Sequence, residues 1–283
     1  YYKLRQHVKT MVKNYVSISG VSNENELREI NRIYIKECLH YTLAIGYQVS
    51  SKSIREGTRN PRQPWFSDLG SLCRLTENLG FIPAIHYYGK DESLIVTDMK
   101  NMAGSGVEPS RALVQFNTLP PSVDTLREVK KIGFGIILKV AVADKSVGGY
   151  KVWKGPEVED IRTGSVDNLI KQVVDRKDVI DYAMFDGSHG TGLPLDLSPG
   201  SLATRFMEEF TKRKELSGLK FVGAGGIGPD NVAEQYMIMQ EKTGNRASVD
   251  IEGKARVDNV LSMKLVRAYM VCADYGRVLA ARH

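Results

Sequence analysis

The chain has 283 residues, 42% of them hydrophobic and 25% charged, with 39 Lys and Arg against 33 Asp and Glu, a net charge of +6 and a pI near 9.0. This is the composition of a globular protein that buries a full core, in one large α/β domain or two small ones. No apolar run reaches the length of about 18 residues that a membrane span needs, and the basic residues are scattered without the interleaved aromatics of a nucleic-acid-binding sheet, so neither a membrane nor a nucleic acid is an expected partner.

The first strand is predicted at 15–19 (Y-V-S-I-S). A helix follows over 24–40, where Leu27, Ile30, Ile33, Tyr34 and Leu39 recur at helical spacing, Asn23 is placed to cap, and Glu26 stands three residues on. Strand 42–48 (T-L-A-I-G-Y-Q), helix 66–78 and strand 81–87 (F-I-P-A-I-H-Y) come next. Residues 91–104 read as a short helix or an irregular excursion. Then come strand 111–116, helix 121–131, strand 134–141, helix 164–176, strand 180–186, helix 200–215 and strand 219–223. Helix 229–241, with Pro229 in its first turn, strand 247–251 and helix 257–274 complete the series. The strands are short continuous apolar runs, the signature of a parallel sheet buried on both faces.

Eight strands alternating with helices predict a (β/α)8 TIM barrel, an α/β fold, spanning 1–283 as a single domain. A doubly wound open sheet is the competing arrangement. The segments near 49–66 and 143–163 are long for strand-to-helix connections, and Tyr150 and Trp153 in the second are placed to cover a site or to anchor the loop. The cysteines, Cys38, Cys73 and Cys272, are far apart and odd in number, so each is expected as a small buried core residue in a reducing, cytoplasmic setting. The chain opens Y-Y-K-L-R-Q, without Met and without an apolar signal region, as a fragment or processed form does.

In a TIM barrel the chemistry sits on the loops after the strand C-termini. Polar residues cluster there: Ser19 and Gly20 after the first strand, Gln115 and Asn117 at the fourth, Asp186 at the sixth, and glycine-rich turns after the seventh and eighth. The turns F-V-G-A-G-G-I-G-P-D-N-V and V-D-I-E-G-K-A-R expose backbone N–H groups near a helix start, with Lys254 and Arg256 at hand. Together they suit a phosphate, held by Gly225, Gly226, Gly253 and Lys254. The run G-A-G-G-I-G lacks the downstream acidic residue of a dinucleotide fingerprint. Asp186 suits a general acid or base, or a turn cap held by the D-G-S-H-G-T-G backbone. Thr191 suits a hydrogen-bond donor, and His189 suits either substrate orientation or a solvated loop. No cluster of His, Cys and carboxylates has metal-ligand spacing, so no metal or organic cofactor is expected.

In this order the motifs resemble those of phosphoribosylanthranilate isomerase, the tryptophan-pathway barrel enzyme. Residues 17–23 (S-I-S-G-V-S-N) correspond to its strand 1 K-I-C-G-[IL]-T-N, and 114–117 (V-Q-F-N) to V-Q-L-H-G. Residues 135–140 (G-I-I-L-K-V) match strand 5, and Asp186 with H-G-T-G at 189–192 and L-D-L at 195–197 matches strand 6. Residues 224–232 (A-G-G-I-G-P-D-N-V) match A-G-G-L-x-P-x-N-V, the most specific motif, and 249–256 (V-D-I-E-G-K-A-R) correspond to V-D-[VL]-S-S-G-V-E. The likeness runs in order over residues 15–275.

The resemblance implies a metal-free Amadori rearrangement of a phosphorylated ribosylamine by a monomer or homodimer. Asp186 would protonate the furanose oxygen, and Ser19 would occupy the position of the Cys that removes the C2 proton. Substrate contacts fall on Arg62 (with Arg59 and Arg55 as rivals for a carboxylate), Gln115, Asn117, His189, Gly190 and Thr191. Three departures stand out. Ser19 replaces the Cys, and a neutral hydroxyl is a far weaker base than a thiol of pKa about 8.5. Asn117 replaces the strand 4 His. The strand 8 motif is altered. A divergent barrel acting on or binding another phosphosugar, and a non-catalytic phosphate-ligand-binding barrel, are the alternatives these departures leave.

Overall fold

The structure, a computed structural model, describes residues 12–117, 120–140, 165–186 and 195–281. Eight parallel strands close into a barrel in chain order: β1 (Val16–Ser19), β2 (Leu43–Ser50), β3 (Ile82–Tyr88), β4 (Leu113–Phe116), β5 (Gly135–Lys139), β6 (Tyr182–Asp186), β7 (Lys220–Ala224) and β8 (Ala247–Ile251), with β8 returning onto β1. Each lies within two residues of its predicted run, and the closure excludes the open doubly wound sheet.

The helices form the outer layer: α1 (Glu24–Lys36), α2 (Ser51–Glu56), α3 (Phe66–Asn78), α4 (Ile95–Gly104), α5 (Val123–Ile132), α6 (Val166–Val174), α7 (Leu202–Lys212), α8 (Val232–Lys242) and α9 (Met263–Ala280). Residues 91–104 settle as a 3-10 turn, Glu92–Leu94, running into α4. The short α2 was not foreseen; Ser50 caps it, its side chain accepting from the Ser53 backbone N–H while the Ser53 hydroxyl accepts from that of Ser50. Asn23 caps α1 by accepting from the Glu26 N–H at 3.0 Å, and the Glu26 carboxylate reaches one residue beyond the cap to Ser22.

Three expectations are corrected. Pro229 precedes α8 by three residues instead of sitting in its first turn, because Gly226–Asn231 form a separately bonded loop. The last helix starts at Met263, not 257, because β9 (Arg256–Val257) and β10 (Val260–Leu261) pair as a small antiparallel hairpin. Cys73 is in the core and burial pushes its thiol pKa up, but Cys38 is exposed just past α1, at a φ of 50°, and Cys272 is half-buried.

The barrel is sealed at the end away from the strand C-termini. Tyr15, just before β1, and Tyr182, at the start of β6, meet across the interior with ring centroids 5.4 Å apart, and the Tyr182 hydroxyl donates to the Lys13 carbonyl at 2.8 Å. Ala44, Ala84, Leu113, Ile137, Met184 and Val222 pack with the two rings in the barrel interior. A second core lies between the strands and the helices. On that outer layer α9 packs tightly on α8. A Cβ built on Gly276 would stand 2.5 Å from the Ala233 carbonyl oxygen and 2.8 Å from its Cα. Gly276→Ala is therefore expected to destabilise the protein by about 1–3 kcal/mol, lowering the thermal midpoint; an unchanged midpoint would contradict this packing.

Candidate active site

Successive residues of a strand face opposite sides of the sheet. Inward positions run from mostly apolar near the sealed end to polar near the strand C-termini: Ala84 then His86 on β3, Leu113 then Gln115 on β4, Ile137 then Lys139 on β5 and Met184 then Asp186 on β6, with β1 and β8 polar at both levels, Ser17 then Ser19 and Ser248 then Asp250. Strand register aligns Gln48, His86 and Gln115 side by side. Above them opens a cavity of about 690 Å³, whose wall takes in His86, Gln115, Lys139, Asp186, Asp250 and the glycine turns after β7 and β8.

On one wall Asp186, 8% exposed, accepts from the Lys139 ammonium at 2.5 Å. Lys139 neutralises the carboxylate in a half-dry site and is a proton source beside it. Across the barrel, on β3, β1 and β8, lies a second polar group. The Ser19 hydroxyl donates to Asp250 Oδ1 at 2.6 Å and stands 3.2 Å from His86 Nε2. Ser19 is fully buried and takes no part in the cavity wall, whereas His86 and Asp250 do. Gly46 on β2 makes the space: a Cβ there would stand 2.4 Å from Ser19 Oγ and 2.8 Å from its Cα. Burial raises the Asp250 pKa above the usual carboxylate value, although neighbouring His86 and the Ser19 and Ser17 hydroxyls pull it down.

The loops after β7 and β8 meet. Gly225 and Gly226 have φ of 102° and 58°, conformations that need glycine, and the loop is tied by Asn231, whose Oδ1 accepts from the Gly228 N–H at 2.8 Å. Lys254 lays its stem on Gly228, where a built Cβ would lie 3.0 Å from the lysine Cβ. Gly225, Gly226, Gly253 and Lys254 all border the cavity. Arg256 does not: it turns to the end of β1, donating to the Gly20 carbonyl at 2.5 Å and to the Asn259 carbonyl at 2.8 Å.

Of the three candidate arginines only Arg62 borders the cavity. Arg59 stacks 4.5 Å over the Trp65 ring, and Arg55 binds the fully buried Asp98 at 2.9 Å between α2 and α4. Arg62 is already engaged, by Glu252 Oε1 at 3.3 Å and by the Asn259 side chain; Gln48 donates to the same Glu252 oxygen at 2.6 Å. Gln115 donates to Asn117 Oδ1 at 2.7 Å, and its own carbonyl oxygen is buried with no partner among the described residues. His189, Gly190, Thr191 and the 143–163 segment lie outside the described residues.

Solved structures of similar fold include phosphoribosylanthranilate isomerases. The enzyme from Pyrococcus furiosus matches with a TM-score of 0.54 at 16% identity, and that from Thermotoga maritima with 0.57 at 12%. A third, in complex with reduced 1-(o-carboxyphenylamino)-1-deoxyribulose 5-phosphate, matches with 0.55 at 11%. Each match covers 92% of this chain and 98% of the other. The fold is a (β/α)8 barrel. No protein-family model matches the chain, and no curated protein matches it in sequence. Among the described residues no group of three His, Cys, Asp or Glu could hold a metal, and no helix is long and apolar enough to cross a membrane.

Sequence reasoning missed His86 and the roles of Lys139, Asp250 and Glu252. His86 was legible in principle. It is the one histidine in the run F-I-P-A-I-H-Y, two residues after an inward alanine and near a strand C-terminus. The raised Asp250 pKa has a consequence for stability. The folded carboxyl holds its proton more tightly than the unfolded one, so its ionisation works against folding as pH rises past the ordinary carboxylate value of about 3.9. Asp250→Asn is expected to raise the thermal midpoint at neutral pH, with the gain shrinking as pH falls toward that value. A lower midpoint for the variant at neutral pH would contradict this.

Proposed function

We propose that the protein isomerises an N-substituted ribosylamine 5-phosphate by Amadori rearrangement, as a phosphoribosylanthranilate isomerase-like enzyme. The observation that carries the reading is the shared cavity. The Lys139–Asp186 pair stands on one wall, and the glycine turns with Lys254 stand at the rim between β7 and β8. The turns supply backbone N–H groups and a cation for the phosphate. The Lys139–Asp186 pair delivers a proton to the furanose oxygen, which opens the ring and leaves an iminium at C1. The C2 proton then departs to a base, and the electron pair it leaves forms the enolamine.

The test is loss of anthranilate-type fluorescence when freshly generated phosphoribosylanthranilate meets the purified protein. The expected result is turnover that falls by about 10²–10⁴-fold in Asp186→Asn. Wild-type turnover that Asp186→Asn leaves intact would overturn the acid assignment, and silence in the wild type would overturn this substrate.

One observation favours a second reading on the same site. Arg62, the cavity's candidate for an aglycone carboxylate, is held by Glu252. A carboxylate entering there displaces one acid from an arginine with another, beside that acid's own charge. An aglycone bearing a neutral amide avoids the conflict. Under this reading Glu252→Gln lowers KM for a carboxylate-bearing substrate by about tenfold or more, since a charge-assisted hydrogen bond contributes about 1.5–3 kcal/mol. An unchanged KM would mean that Glu252 does not compete for Arg62.

A further inference from the structure

The isomerase reading needs a base for the C2 proton, and Ser19, buried behind the cavity wall with its proton directed at Asp250, does not meet that need. The two neighbours of Ser19 do border the cavity. A serine hydroxyl has one proton. Since Ser19 Oγ donates it to Asp250 Oδ1 at 2.6 Å, the 3.2 Å contact with His86 Nε2 is a hydrogen bond in which the imidazole donates and the serine oxygen accepts. That holds the ring proton on Nε2 and leaves the lone pair on Nδ1, which has no hydrogen-bond partner among the described residues. His86 is 3% exposed, and what exposure it has is to the cavity. Its register neighbour Gln115 offers the buried carbonyl oxygen that lacks a partner, an acceptor a sugar hydroxyl satisfies.

We propose that His86 is the base that takes the carbon-bound proton, and that Ser19 and Asp250 are positioning residues that fix its tautomer and steady its charge. This rests on the isomerase reading. The acid pair on β5 and β6 gives a proton to the ring oxygen and the C1–O bond breaks. His86 Nδ1 then takes the C2 proton. The C–H electron pair becomes the C1=C2 bond, and the iminium π pair returns to nitrogen. The imidazolium so formed is stabilised by the Asp250 carboxylate through Ser19. One proton is delivered and one removed, so the substrate is isomerised without a co-reactant. The enzyme resets when His86 releases a proton to solvent and the acid pair takes one up.

The test has two readouts on the full chain. The first needs no substrate: ¹⁵N NMR of histidine-labelled protein, with the His86 signal assigned by its loss in His86→Gln. A bare Nδ1 and a protonated Nε2 are expected in the wild type, with the preference lost in Ser19→Ala. A protonated Nδ1 in the neutral wild-type ring would overturn the proposal. The second is kinetic. His86→Gln is expected to lower kcat for phosphoribosylanthranilate by about 10²–10⁴-fold with little change in KM. Wild-type turnover that His86→Gln leaves unchanged would overturn the role of His86 while leaving the isomerase reading standing. No wild-type turnover with the Nε2–H tautomer present would overturn the isomerase reading and, with it, the role of His86 as the base of that reaction.

Discussion

A closed barrel of parallel strands has one inward position in every two, and here the end away from the strand C-termini is plugged by Tyr15 and Tyr182. Inward side chains near the plug are mostly apolar and pack on one another; the exceptions are the buried Ser17 and Ser248, the latter accepting from the Tyr15 N–H at 3.0 Å. Inward side chains near the strand C-termini meet an open mouth and can be polar without being stranded. Ser19, His86, Gln115, Lys139, Asp186 and Asp250 occupy that upper level. Their convergence is a consequence of strand parity and barrel closure, since they come from six strands spread over most of the chain.

Placing charges in so enclosed a space is costly unless each has a partner. The structure meets this in pairs: Lys139 with Asp186, Ser19 and His86 with Asp250, and Arg62 with Glu252. The pairs sort by position. Lys139–Asp186 on β5 and β6 and the Asp250 group on β1, β3 and β8 stand on different walls of the cavity, and in the proposed reaction the first gives a proton and the second receives one. Arg62–Glu252 ties the loop that follows α2 to the residue that follows β8. Gly46 and Gly228 serve the same arrangement from behind, the first by leaving room for Ser19 and the second by letting the Lys254 stem lie against the β7 loop.

The fold was largely legible. All eight strands were predicted from short apolar runs, because strands buried on both faces have nowhere to place polar residues except near their ends. The helix at 66–78 matched residue for residue; the larger boundary errors lie at Gly226–Asn231 and in the β9–β10 hairpin, where loops carry their own hydrogen bonds, and at the ends of α1, which stops at Lys36 and not 40, and α9, which runs on to Ala280 and not 274. The site was legible in its loops and less so in its walls. Gly225, Gly226, Gly253 and Lys254 announce themselves as glycine-rich turns, and Asp186 as a carboxylate at a strand end. His86 did not, because one histidine in an apolar run reads as part of the strand, and its partners are 67 residues before it and 164 after it in the chain. Nor did the engagement of Arg62 by Glu252, which are 190 residues apart. Such pairings follow from closure of the barrel and leave no local trace in the sequence.

The most direct test is a crystal structure of the protein with reduced 1-(o-carboxyphenylamino)-1-deoxyribulose 5-phosphate, the compound held by one of the similar enzymes. The account expects the phosphate between Gly225–Gly226 and Gly253–Lys254, the sugar carbons between Asp186 and His86, and Arg62 released from Glu252 if the carboxylate is accepted. A phosphate bound away from those turns, or a sugar that lies against neither wall, would contradict it.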